Sequence, residues 1–428
     1  MERNISKRVR YANDLMDLKY RQSDSNNVLM PARERAGVRF KTAGIPLAKD
    51  EYWKFSSPER FTSPELIHKK KVNSEEGSID RNTEDIHIVF LNGALDEKLS
   101  NFNRSADELE VVSMSDECLA DHPWVAKLYA ELEAASHKQI NRPLAAFNSA
   151  CATGGVFVRV KQSTKKRLVI HYRGTKPMSE SIIHNLVKLE ANTSLILVEK
   201  GEGACRSSRV TEIDLGSNAV LNHIRFFGNN VSSDLLTQIF VRQAFKSCYN
   251  QFSLVLNCEF IRNESFISLE GEEAKVSLSG AALATDTNLQ DDTIFIAHRK
   301  RDCESRQVFK KVLKNEATGV FQGKIFVASE AQKTDGYQIS KGLLLGEKSK
   351  FLTKPELEIY ADDVVCSHGS TCGAIDEETL FYLMSRGVSR TEAIGMLIMA
   401  FLDEAVQEIK IDELADDIRG IIWEKAEA

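Results

Sequence analysis

From about residue 155 to residue 360, apolar positions come in short runs that alternate with polar ones, as at 156–160, 167–171, 195–198 and 266–269. Alternation with a period of two turns one side of an extended chain inward, so each run predicts a β-strand. Turn residues separate the runs and convincing long helices are few, which disfavours a doubly wound α/β sheet. A polar turn followed by apolar alternation recurs at Asn192, Asn218 and Glu273. The first interval is 26 residues and the second is 55, close to twice that, so a further unit is expected near Ser247 and Cys248, where the apolar run 252–256 follows. A period in the upper twenties predicts a β-solenoid, whose coils bury their faces only by stacking. A β-sandwich would give similar strands without a fixed period.

The flanks read differently. Pro31 opens an expected helix with Ala32, Ala36 and Phe40 on one face, closed by Gly44 and Pro46. The aromatic cluster 51–55 (Tyr52, Trp53, Phe55) is of the kind that anchors a helical cap to something larger. The polar stretches 21–28 and 68–84 read as linkers, and 86–91 as a strand with a turn at Asn92-Gly93. After residue 373 the texture becomes helical. Asp376 caps a helix that Gly387 stops, and Ser389 and Glu392 form a capping box for a second. Ile394, Leu397, Phe401 and Ala405 make one apolar stripe, widened by Met396, Ile398, Met399 and Leu402. Asp412 caps a third helix, with Leu414, Ile418 and Ile421 or Ile422 inward. Helices of this size cannot bury so much apolar surface among themselves. They either cap the end of the solenoid or dock a partner. The expected organisation is a helical region and linker at 1–84, a β-helix core at 85–373 and a helical docking region at 374–428.

Composition narrows the function classes. The 428 residues are 42% hydrophobic and 28% charged, normal for a globular chain. The net charge of −6 is concentrated in the tail: from Thr371 onward there are 13 acidic and 5 basic residues. That balance argues against nucleic acid as the tail's partner. The longest apolar run, 393–402, is about half the ~20 residues that span a bilayer, and the N-terminus lacks the apolar core of a secretion signal. Eight cysteines without a regular framework suit a reducing cytoplasm.

The candidate chemistry concentrates at 366–372, where Cys366, His368 and Cys372 stand at C-x-H-x3-C spacing. Thiolate and imidazole suit iron, zinc or Cu(I), but three ligands are one short of a closed tetrahedral site. The stretch reads either as a turn with incidental cysteines or as a metal or thiol site completed by residues from elsewhere. The segment 342–349 imitates a phosphate loop with one residue too few and a Glu before the Lys, so no nucleotide site is expected. The segment 298–301 reads as a solvated basic strand end. Asp286, Asp291 and Asp292 are the carboxylates a polysaccharide-cleaving solenoid would use, the remote enzyme reading.

Four segments carry a resemblance: 339–345 (ISKGLLL), 353–363 (TKPELEIYADD), 366–369 (CSHG) and 376–387, from Asp376 through Leu380, Phe381 and Tyr382 to Gly387. They look like the SufB/SufD family of iron–sulfur cluster assembly proteins. Weaker echoes are Trp53-Lys54, Asn92-Gly93 and the spacing from His298 through Cys303 to Gln307. The length and the N-terminal region resemble SufD more than SufB, with a SufB-like scaffold that itself holds the nascent cluster as the alternative. The resemblance implies a mostly β fold, a right-handed parallel β-helix with helical regions at both ends, and a non-catalytic subunit. It implies SufB as a heterodimer partner and the ATPase SufC docked on the C-terminal helices; a homodimer when SufB is absent stays an open alternative. Carried onto this chain, His368 is the interface residue for iron or a nascent cluster held transiently. Cys366 is its neighbour, and Cys372 departs from the family pattern. The docking residues implied are Leu380, Phe381, Ile394, Met396, Leu397 and Phe401.

Overall fold

The repeat in the sequence is a column of left-handed turn residues. Asn192, Asn218, Lys246, Glu273, Asp302 and Lys333 have φ between 54° and 60°. The backbone N–H of each donates to a carbonyl one coil further on, at Ser217, Phe245, Glu272, Arg301, Gln332 and Asp363. Lys246 is the unit expected near Ser247. The next residue turns into the coil where space is short, and Thr193, Ala219, Ser247, Ala274, Cys303 and Thr334 are all small and buried. Cys303 therefore holds a packing position that Ala274 holds in the preceding coil.

The computed structural model describes residues 2–20, 28–65, 84–102, 107–176, 178–228 and 233–426, so the expected linkers at 21–28 and 68–84 lie almost wholly outside it. Its coils stack into a parallel β-helix of about seven turns flanked by helices, as expected. One sheet has ten strands and the other nine. Strands of successive coils pair in parallel register, for example Asp234 with Phe260 and Phe260 with Leu289. Inward side chains such as Leu221, Tyr249, Leu278, Phe309 and Phe321 fill the interior.

Helices cover both outer faces. Met30–Ala43 buries Ala32, Ala36 and Phe40 and ends at Gly44, as its pattern predicts. With Pro143–Cys151 it covers the nine-stranded sheet through Val210, Phe240, Phe266 and Phe295. The helix Glu2–Lys19 and the short helices between Glu117 and Cys151 were not foreseen. Trp53 is the expected anchor: the fully buried Arg262 guanidinium lies 4.2 Å over its ring and donates to the Tyr52 carbonyl at 2.7 Å.

The C-terminal helices do not cap the solenoid's end. Arg390–Val406 and Asp412–Ala426 lie against the side of the ten-stranded sheet, over Phe252, Leu254, Val308 and Val312. Lys310 and Lys341, from adjacent strands, both pair with Glu404 of the longer helix, and Arg306 pairs with Glu408. The caps are as expected: Asp376 accepts from the backbone of Glu378 and Thr379, Ser389 from Glu392, and Gly387 is left-handed with φ 91°. The buried stripe is rotated from the expected one, with Ala393, Ile398, Leu402, Ala405 and Val406 inward and Ile394, Leu397 and Phe401 only half-buried.

The two ends of the coil differ. At the N-terminal end both sheets finish in antiparallel pairings, Ala94–Leu95 on Ile86–Leu91 and Leu109–Ser113 on Val156–Val160. At the other end the ten-residue strands Lys350–Ile359 and Val364–Gly373 are the outermost of their sheets.

A β-branched side chain is costly in the left-handed region, where glycine is at ease. Glu273 is exposed at φ 57°, so Glu273→Val is expected to lower the unfolding free energy by about 1–2 kcal/mol while Glu273→Gly stays near wild type. Urea unfolding checks both.

Candidate functional site

Residues 366–372 are not a turn. They belong to the edge strand Val364–Gly373, which pairs in parallel register with Thr334–Leu344. Strand alternation then puts Cys366, His368, Ser370 and Cys372 on one side, the side facing the coil interior. The contacts agree. Cys366 packs with Ile325 and Leu357, and a methyl on Gly336 would lie 3.2 Å from its Sγ. Ser370 Oγ lies 2.7 Å from Ser340 Oγ of the preceding coil. Cys366 is half-buried, and that burial pushes its thiol pKa up. His368 and Cys372 are exposed, because no coil follows.

Extended geometry decides which residues act together. Cys366 and His368, two residues apart, have Cα atoms about 7 Å apart, within reach of a shared ion. Four residues separate His368 from Cys372, about 13 Å, too far for one ion to bind both. The three-ligand loop is thereby excluded. Among the described residues no group of three or more His, Cys, Asp or Glu is placed to hold a metal ion. The edge offers an imidazole and a thiol, and further donors must come from outside this strand.

The edge also carries a signal that sequence reasoning passed over. Val364–Gly373 contains no Lys, Arg, Asp, Glu or Pro, the residues that normally keep an outer strand from pairing. Val365 is 71% exposed and Tyr360 61%, so apolar surface accompanies the unpaired backbone.

The other singled-out residues sort plainly. His298 is not part of a solvated strand end. It is fully buried, its Nε2 sits 2.8 Å from Ser305 Oγ, and burial lowers its pKa to about 3. Asp291 and Asp292 face opposite sides of one strand. Asp291 meets Arg262 and Ser56 outside, and Asp292 meets Lys311 at 2.6 Å and Asn263 at 3.0 Å inside. Asp286 is a left-handed turn residue, so these carboxylates form no acid–base pair. The phosphate-loop imitation leads into the strand Lys350–Ile359 rather than a helix, and its Lys348 pairs with Glu316. On the C-terminal helices Leu380 is 1% exposed, which removes it from any docking surface. Phe381 (73%) and Met396 are exposed, and Tyr382 and Met384, which sequence reasoning had not singled out for docking, extend the patch.

The fold and this edge define a parallel β-helix with a thiol and an imidazole at an open end of the coil. The chain belongs to the SufBD family of iron–sulfur cluster assembly proteins. The family described as SUF system FeS cluster assembly, SufBD core domain, matches residues 172–401. The likeness within it is to SufD: the chain is 27% identical over 386 residues to the iron–sulfur cluster assembly protein SufD of Escherichia coli K12, covering 89% of each. It is 24% identical over 417 residues to an iron–sulfur cluster assembly SufBD family protein of Synechocystis, covering 93% of this chain and 91% of that one. It is also 28% identical over 222 residues to the chloroplastic protein ABCI7 of Arabidopsis thaliana, covering 51% and 46%. No helix among the described residues is long and apolar enough to cross a membrane.

The buried imidazole predicts a pH effect. Because folding lowers the pKa of His298 from 6.5 to about 3, protonation favours the unfolded chain, so stability is lost as pH falls below 6.5. Between pH 7 and pH 5 the wild type is expected to lose about 2 kcal/mol more than His298→Gln. Denaturant curves at the two pH values check it; equal losses would contradict it.

Proposed function

We propose that this chain is a SufD-like, non-catalytic subunit of an iron–sulfur cluster assembly scaffold. It pairs with a SufB-like β-helix through the open edge and docks the ATPase SufC through its C-terminal helices. One observation carries the reading: Cys366 and His368 lie together on an edge strand that nothing among the described residues covers. A partner strand along Val364–Gly373 would satisfy that backbone and bring further donors against the imidazole. Iron or a nascent cluster is the cargo of this shared site, held transiently rather than as a resident cofactor. His368 has the stronger role because it is exposed at the edge, and Cys366 is the second donor. Cys372 lies too far along the strand to join them.

Docking of the ATPase rests on the exposed patch Phe381, Tyr382, Met384 and Met396, with Ile394, Leu397 and Phe401 half-buried behind it. Aromatic side chains and methionine are enriched at the centres of protein interfaces. ATP belongs to that partner. The subunit works in the cytoplasm, binds neither nucleic acid nor membrane, and pairs with itself when the SufB-like chain is missing.

Co-expression with candidate SufB-like and SufC-like chains, followed by mass and metal analysis of what co-purifies, tests the assembly. His368→Ala is expected to leave the complex intact and lower cluster formation by ~10-fold or more, a size typical of lost support at a metal site. Unchanged cluster formation would contradict the site. Phe381→Asp is expected to weaken ATPase binding by about 30-fold, as for a central interface anchor, with the β-helix pairing retained. Equal ATPase binding in a titration would remove the patch.

A further inference from the structure

Directly beside His368 lies a residue with no evident structural reason to be polar. Gln338 of Thr334–Leu344 is the register partner of His368. It is fully buried, and neither its Oε1 nor its Nε2 has a hydrogen-bond partner. Its amide faces the coil interior, against Gly323 of the opposite sheet: a methyl there would press closest on the Gln338 Oε1, with Cδ at 2.7 Å and Nε2 at 2.8 Å. One strand deeper, Gln307 is the register partner of Gln338, and it too is fully buried with both amide atoms unpartnered. Two buried amides left unsatisfied weaken a fold, and an apolar residue of the same length would serve packing better. The column Gln307, Gln338, His368 runs across three adjacent parallel strands and ends at the open edge.

In-register parallel strands lie about 4.8 Å apart, so side chains on one face stack along the column. His368 shares the inner face with Cys366 and Ser370, whose contacts fix that side as the interior. The geometry points to Gln338 as a positioning residue for His368. The bond is not made in this arrangement; a turn of the amide brings Oε1 to accept a hydrogen bond from one imidazole N–H, which holds the ring in a single tautomer and turns the other nitrogen, with its lone pair, toward the open edge. Gln307, equally unpartnered, stands behind it in the same column. A second hydrogen bond of this kind is how an imidazole is prepared as a donor. Gly323 is the residue that leaves the amide room to stand.

This inference rests on His368 being the working residue of the edge, but its test needs neither partner nor iron. The full chain, with 15N-labelled histidine, is studied at pH 8. The His368 ring signals are identified by their absence in His368→Gln. Wild type is expected to show one dominant tautomer. Gln338→Met, which keeps the length and removes the unsatisfied amide, is expected to return His368 to the mixture of an unstructured peptide without lowering Tm. Gly323→Ala, which crowds the amide without removing it, should shift the ratio the same way. A mixed tautomer in wild type, or an unchanged ratio in both variants, would overturn the proposal. Tautomer control by Gln338 together with normal cluster formation by His368→Ala would instead keep the positioning and remove the function proposed for the site.

Discussion

A parallel coil satisfies its backbone only through the coils on either side of it. In this chain that dependence is met by a left-handed residue in each turn, whose N–H reaches a carbonyl of the next coil, and by a small residue after it that lets the chain pass inward. The same dependence leaves a debt at both ends of the stack. The N-terminal end is closed by antiparallel strands of two and five residues and by helices over the neighbouring face. The C-terminal end shows two ten-residue edges, one without a single charge or proline. Cys366 and His368 belong to that edge, and so the proposed site and the unpaired backbone are one feature.

The interior tolerates more polarity than a strand pattern suggests. Glu199 is buried, which by itself would raise its pKa, yet hydrogen bonding and charge from His223, Arg225 and Arg209 hold it well below the usual carboxylate range. Asp292 and Lys311 form a further buried ion pair deeper along the coil. Such pairs are weak evidence for stability, but breaking one would strand a charge. Gln307 and Gln338 differ in having no partners, which is why their place below His368 carries meaning. On the outside, Glu404 ties the long C-terminal helix to Lys310 and Lys341, on the two strands that lead up to the edge. The exposed aromatic patch and the edge are thus fixed to one rigid frame.

Much of this was legible in the sequence. Asn192, Asn218 and Glu273 announced the period because Asn tolerates the left-handed region and Ala follows two of the three. Lys246 was recoverable only from the spacing, since lysine carries no turn signal. Capping residues marked the C-terminal helices at Asp376 and Ser389. The burial of Leu380 and the rotation of the next helix were hidden, because that helix is apolar on more than one side and only the sheet beneath it chooses the inward face. The stretch at Cys366 read as a turn because Ser, His, Gly and Thr are turn-like. Its pairing with Thr334–Leu344, some thirty residues earlier, makes it a strand. That long-range pairing also separates Cys372 from the site, which local spacing had joined to it.

The central claim is that the edge strand Val364–Gly373 is where a second β-helix chain completes this one. Backbone hydrogen exchange tests it most directly, comparing the isolated chain with the chain bound to a SufB-like partner. The account predicts new protection along Val364–Gly373 and Lys350–Ile359, with the antiparallel strands at the opposite end unchanged. Protection confined to the helical faces, with the edge strands exchanging as before, would contradict it.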